Sequence, residues 1–114
     1  MTVQSSTPHL EVETGAQGPQ VKLASDAFEE GNLQGVGEQL VRLAEELAGQ
    51  ELHLDLDSVK YLGSMGLAKL VALHKKVRAR DGRLVLVNVD PSVLEVFQIT
   101  HLHKVLDLRA KEAG

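Results

Sequence analysis

Residues 51–77 limit the fold more than any other stretch of the chain. Leu52, Leu54 and Leu56 alternate with His53, Asp55 and Asp57, the two-residue period of a strand with one buried face. After a short loop, Gly63-Ser64-Met65-Gly66 leads into Leu67, Leu70, Val71, His74 and Val77, whose steps of three and four line one side of a helix. Beyond Asp81-Gly82, Leu84-Val85-Leu86-Val87 is an unbroken apolar run, the pattern of a strand covered on both faces. Strand, helix and strand in that order predict two parallel strands joined by a right-handed crossover.

The flanking sequence extends this unit. Leu33, Val36, Leu40, Leu43 and Leu47 form a second helical stripe, with Asn32 as its N-cap and Gly49 as its stop. Gly35 and Gly37 weaken its first turn by up to about 1 kcal/mol each relative to Ala. Upstream, Leu10-Glu11-Val12-Glu13 and Val21-Lys22-Leu23-Ala24 read as a hairpin around a turn at 15–19. A polar loop over 26–31 tucks Phe28 beneath it. Downstream, Asp90-Pro91 supplies a cap and a first-turn proline for a short helix through Val93, Leu94 and Phe97. Ile99 to Leu108 reads as a helical turn followed by a last short strand or helix. The expectation is a single α/β domain over residues 10–109, a mixed sheet of about four or five strands with helices packed mainly on one face. A flexible tail is expected over 1–9, rich in Thr, Ser and Gln, and a solvated tail over 110–114.

Composition removes several function classes. A chain of 114 residues builds one core and is too short for a two-lobed catalytic cleft. Trp is absent, and one Tyr with two Phe makes no platform for stacking bases. A formal net charge of −4 disfavours direct nucleic-acid binding. Without Cys there are no disulfides, thiolate metal sites or cysteine nucleophiles. No apolar run approaches the roughly 18–20 residues of a membrane helix, and no apolar signal stretch opens the chain, so a cytoplasmic protein without membrane contact is expected.

Four groups of residues are candidates for chemistry. Ser64 falls where the strand-to-helix junction should expose it. It either caps the helix or accepts a phosphate, which the helix's positive end and free N–H groups would hold; the residues alone leave both readings open. Asp55 and Asp57 share a strand face with His53 and read as a solvated face, since no nucleophile and orienting base assemble around them. His74 lies on the helix stripe as a partly buried, hydrogen-bonded residue, and His101 and His103 flank Leu102 in a surface turn whose spacing matches no metal pattern. Lys75, Lys76, Arg78, Arg80 and Arg83 suit a solvated helix end. The turn at Ser64 is neither a hydrolase elbow, having Leu62 where that motif needs Gly, nor a Walker loop.

The run from Asp55 to Leu67 resembles the signature of the STAS domain, the sulfate transporter and anti-sigma factor antagonist domain. Ser64-Met65-Gly66-Leu67 keeps the family's Ser-x-Gly-Leu core, while Gly63 stands where an aspartate is usual. The resemblance continues through Gly82 to Asn88, Phe97 to Thr100 and Val105 to Leu108. It implies that Ser64 is the phosphorylated serine, that Asp55 is the family's strand aspartate, and that Asp55, Asp57, Gly63, Ser64, Met65 and Gly66 face a partner. That partner is implied to be an anti-sigma factor that is also a serine kinase, bound when Ser64 is unphosphorylated. No catalysis, cofactor or metal is implied, and self-association is left open. The alternatives are a non-switching STAS scaffold subunit of a larger bacterial signalling complex and, from Ser64 with two carboxylates alone, a small hydrolase or nucleotide-binding enzyme.

Overall fold

A computed structural model describes residues 2–6, 9–15, 18–47 and 49–111. The strands are β1 (Thr2–Ser6), β2 (Leu10–Gly15), β3 (Gly18–Leu23), β4 (Glu51–Asp55), β5 (Arg83–Val89) and β6 (Asp107–Ala110), and the helices are α1 (Glu30–Glu46), α2 (Ser64–Ala79) and α3 (Pro91–Ile99). They form one mixed sheet in the order β1-β2-β3-β4-β5-β6. The β2–β3 hairpin is antiparallel, and β4, β5 and β6 each pair in parallel with the strand before. The centre of the expected hairpin turn, residues 16 and 17, lies outside the described residues, as do residue 1 and residues 112–114.

Register explains why the leucine alternation dominates. Val12, Val21, Leu54, Leu86 and Leu108 stand opposite one another across five strands, and all but Leu108 are fully or almost fully buried. Onto this face α1 lays Leu33, Val36, Leu40 and Ala44, α2 lays Leu67, Leu70, Leu73 and Val77, and α3 lays Val93 and Phe97, in one core cluster. Each fully buried aliphatic side chain contributes roughly 1.5–3 kcal/mol. The opposite ladder, Glu13, Gln20, His53, Val85 and Asp107, is mostly polar.

Several local expectations are corrected. Thr2–Ser6, expected as a flexible tail, pairs antiparallel with β2 and brings the sheet to six strands; an edge needs backbone donors and acceptors more than apolar side chains. At the other end, the chain stays on the sheet through Ala110, and the Lys111 amide donates to the Val89 carbonyl at 2.9 Å. Helix α1 starts at Glu30 with Glu29 as N-cap, three residues earlier than expected. Asn32 instead donates its side-chain amide to the Asp26 carbonyl at 2.9 Å, tying down the loop that carries Phe28. The cap of α3 is as the sequence implies, with Asp90 accepting from the Ser92 amide at 3.2 Å and Pro91 opening the helix.

Candidate functional site

Two anchored segments fix the opening of α2. After β4, the Leu56 amide donates to the Val87 carbonyl at 3.0 Å and the Val59 amide to the Leu56 carbonyl at 3.0 Å, while Val59 and Leu62 enter the core. Lys60 reaches across to α3, with its ammonium 3.1 Å from Asp90 and its carbonyl accepting from the Ser92 hydroxyl at 3.3 Å. Glycine at 66 is a packing requirement. A Cβ there would lie 2.6 Å from Leu62 Cδ1 and 3.3 Å from Phe28 Cδ1, so only a bare backbone lets the first turn settle on those side chains.

Ser64 is the first residue of α2 and is exposed. Gly63 holds the N-cap in extended conformation (φ −85°, ψ 179°), so the Ser64 hydroxyl is not the cap; the capping alternative for it is set aside. The first turn carries no acidic residue, leaving its free N–H groups without a carboxylate on their own helix. Tyr61 and Met65, 78% and 64% exposed, flank the serine in the chain.

The predicted carboxylates belong to a different setting. Asp55 is 8% exposed and His53 6%, not the solvated face expected of them. Asp55 Oδ1 accepts from the Asp57 amide at 2.9 Å and from Asn88 Nδ2 at 3.1 Å, and Oδ2 faces Gln20 Nε2 at 3.4 Å. One side chain thus joins β3, β4, β5 and the loop leading towards Ser64, which is why it leaves water. His53 Nε2 meets Glu51 Oε1 at 2.6 Å, a bond that holds the Glu51 carboxyl below its usual range. Asp57 lies past the end of β4, off the shared strand face, and meets Lys111 Nζ at 2.7 Å; that bond holds the Asp57 carboxyl below its usual range too. Asp55 and Asp57 come together with Asn88, Arg109 and Lys111 in a shallow cleft of about 460 Å³ whose lining does not include Ser64. Asp90 is held down to about 2, first by the Ser92 hydroxyl and then by Lys60 and the Ser92 amide.

Tyr61, Asn88 and Lys111 were missed from sequence. Asn88 adopts a left-handed backbone (φ 55°) where the β5–β6 register shifts. An asparagine after a valine run was the available signal, since its side chain tolerates that region. His74 corrects an expectation of the opposite kind. Its Nδ1 is buried with no hydrogen-bond partner among the described residues, and burial, then Arg78 and Lys75, lower its pKa.

A family model for the STAS domain matches residues 25–114. The chain belongs to the STAS domain family. Within it, this STAS domain is 38% identical over 77 residues to the anti-sigma-B factor antagonist of Bacillus subtilis, covering 68% of this chain and 69% of that protein. A STAS domain protein from Planctomyces limnophilus, described as an anti-sigma factor antagonist, superposes with a TM-score of 0.78 at 21% identity over 90% of this chain and 91% of that one. The anti-sigma factor antagonist SpoIIAA in its unphosphorylated form superposes with a TM-score of 0.66 at 13% identity, over 91% and 89%. The domain is thus anti-sigma factor antagonist-like in sequence and fold.

Proposed function

We infer that this STAS domain is a phosphorylation-controlled interaction module that binds an anti-sigma factor with serine-kinase activity while Ser64 is unmodified, and releases it once Ser64 carries a phosphate. The protein is then a kinase substrate and not an enzyme. The observation that carries the reading is the exposed hydroxyl at the first position of α2, uncommitted to capping and set on a backbone fixed from both sides. The relative of known name supplies the partner class, and the fold neighbour described in an unphosphorylated form supplies the idea of two states.

Phosphorylation adds about −1.5 to −2 charges. A change of 1.4 kcal/mol in binding is about tenfold in affinity, so one phosphate ends a moderate interaction without unfolding the domain. The role of Asp55 in this reading is to hold the loop that precedes α2. Gly63 in place of the usual aspartate favours one competing reading, a scaffold subunit that binds without switching.

The test is titration of each purified anti-sigma factor encoded in the same genome against wild-type, Ser64→Ala and Ser64→Glu protein. Binding kept by Ser64→Ala and lost by Ser64→Glu is the expected result. Equal binding by all three would favour the scaffold, and turnover abolished by Ser64→Ala would favour an enzyme.

A further inference from the structure

The segment from Tyr61 to Ala68 reads Tyr-Leu-Gly-Ser-Met-Gly-Leu-Ala and has no charged residue, in a chain where charged residues make up 25%. The cations at its two ends are directed elsewhere. Lys60 is tied to Asp90 at 3.1 Å, and the Lys69 stem crosses to α1, where its Cδ lies 3.1 Å from the position of a Cβ on Gly37. What the segment shows to solvent is Tyr61, Ser64, Met65 and Ala68, none of them charged. The Tyr61 hydroxyl lies 3.2 Å from where a Cβ on Gly63 would be, so the phenol runs along the bare backbone that leads into Ser64.

Ile99 at 69% and Val105 at 50% are exposed as well, so exposure alone does not mark this segment; what sets it apart is a Tyr and a Met on a charge-free stretch with Ser64, the composition that interface centres favour. A serine hydroxyl in the same segment is desolvated at small cost, because it is neutral and finds a hydrogen bond. A phosphate dianion in the same place is not.

We propose that the contact this domain makes with its anti-sigma factor is apolar and uncharged at its centre, with Tyr61 and Met65 as its two anchors. A charge at Ser64 then breaks the contact through the cost of removing water from it, whatever the sign of the partner's own field. This rests on the reading above and names the chemistry of the partner surface: apolar pockets for a phenol and a thioether, with a hydrogen-bonding group for the serine.

The experiment titrates the same purified anti-sigma factors with Tyr61→Ala, Met65→Ala, Ser64→Glu, Ser64→Lys and Ser64→Gln, at about 0.05 M and about 0.5 M salt. Unchanged thermal unfolding of each variant checks the fold. Tyr61→Ala and Met65→Ala each weaken binding about tenfold or more. Ser64→Lys loses binding to within about threefold of Ser64→Glu, Ser64→Gln loses less than either, and salt restores neither charged variant, since screening acts on charge–charge terms and not on dehydration. Ser64→Lys binding like wild type, recovery of Ser64→Glu in high salt, or full binding by both alanine variants would each overturn the proposal while leaving the switch itself intact. Failure of the wild-type protein to bind any of the anti-sigma factors would overturn the underlying reading and this inference with it.

Discussion

The glycine at 66 offers the sharpest check on how α2 is seated. In a helix, Gly→Ala ordinarily gains up to about 1 kcal/mol. At Gly66 the added methyl would lie 2.6 Å from Leu62 Cδ1 and 3.3 Å from Phe28 Cδ1, against a comfortable carbon–carbon separation of about 3.5–4.0 Å. Leu62 is 3% and Phe28 7% exposed, so neither can swing into water to make room. Overpacking of this kind costs about 1–3 kcal/mol, which cancels or outweighs the helical gain and leaves Gly66→Ala between neutral and about 2 kcal/mol less stable. Gly35 is the matched control, because it lies in α1 with nothing within 4 Å of a new Cβ; Gly35→Ala gains about 0.5–1 kcal/mol. Urea unfolding of both variants should therefore show midpoints separated by on the order of 1 M, given a slope of about 1–3 kcal/mol per molar. Gly66→Ala proving as stable as Gly35→Ala would refute the claim that the first turn of α2 rests on Leu62 and Phe28, and with it the fixed placement of Ser64.

Further perturbations test the other parts. Asp55→Ala leaves Asn88 Nδ2 and the Asp57 amide without their acceptor, so it should lower stability by about 1–3 kcal/mol in urea unfolding; an unchanged midpoint would contradict its role as a joint. Asp90 is held near 2 from an ordinary 3.8, a depressed carboxylate whose contribution is complete above about pH 4 and lost as pH falls through 2. Wild type should thus lose stability over that window more steeply than Asp90→Ala, and an NMR titration midpoint of Asp90 near 4 would contradict the cap. His74 has a lowered pKa because of its burial, so its neutral form favours folding and the benefit is lost as pH drops below about 6.5. His74→Leu should flatten the acid side of the stability profile relative to wild type, and identical profiles would contradict the assignment. Gly63→Asp, placed in an extended N-cap, should stabilise by only a few tenths of a kcal/mol; a loss exceeding about 1 kcal/mol would show that Tyr61 cannot yield its place beside residue 63.

What could be read from the sequence was what depends on near neighbours. The alternation of Leu52, Leu54 and Leu56, the stripe from Leu67 to Val77 and the Asp90-Pro91 cap all express local geometry, and the strand–helix–strand unit follows from them. Thr2–Ser6 was not legible, because a polar strand is made by the unpaired edge of β2 and not by its own side chains. Asn32 looked like a cap, yet its side chain goes to Asp26, a partner fixed by how the loop folds back. The polar alternation at His53 and Asp55 gave the right strand and the wrong exposure, since periodicity reports which face a residue is on and not whether Gln20 and Asn88 will enclose it. At the candidate site the sequence left two roles open for one residue. Ser64 was placed at the opening of α2, but Gly63, with nothing but backbone, takes the cap and leaves the hydroxyl outside it.

The central claim is that charge on one hydroxyl governs whether this domain meets its partner. It is tested most directly by the affinity of a single anti-sigma factor from the same genome for the protein before and after stoichiometric phosphorylation, with the modified residue mapped by mass spectrometry. The account predicts phosphate on Ser64 and an affinity at least about tenfold lower. Phosphate on another residue, or equal affinity of the two forms, would contradict it.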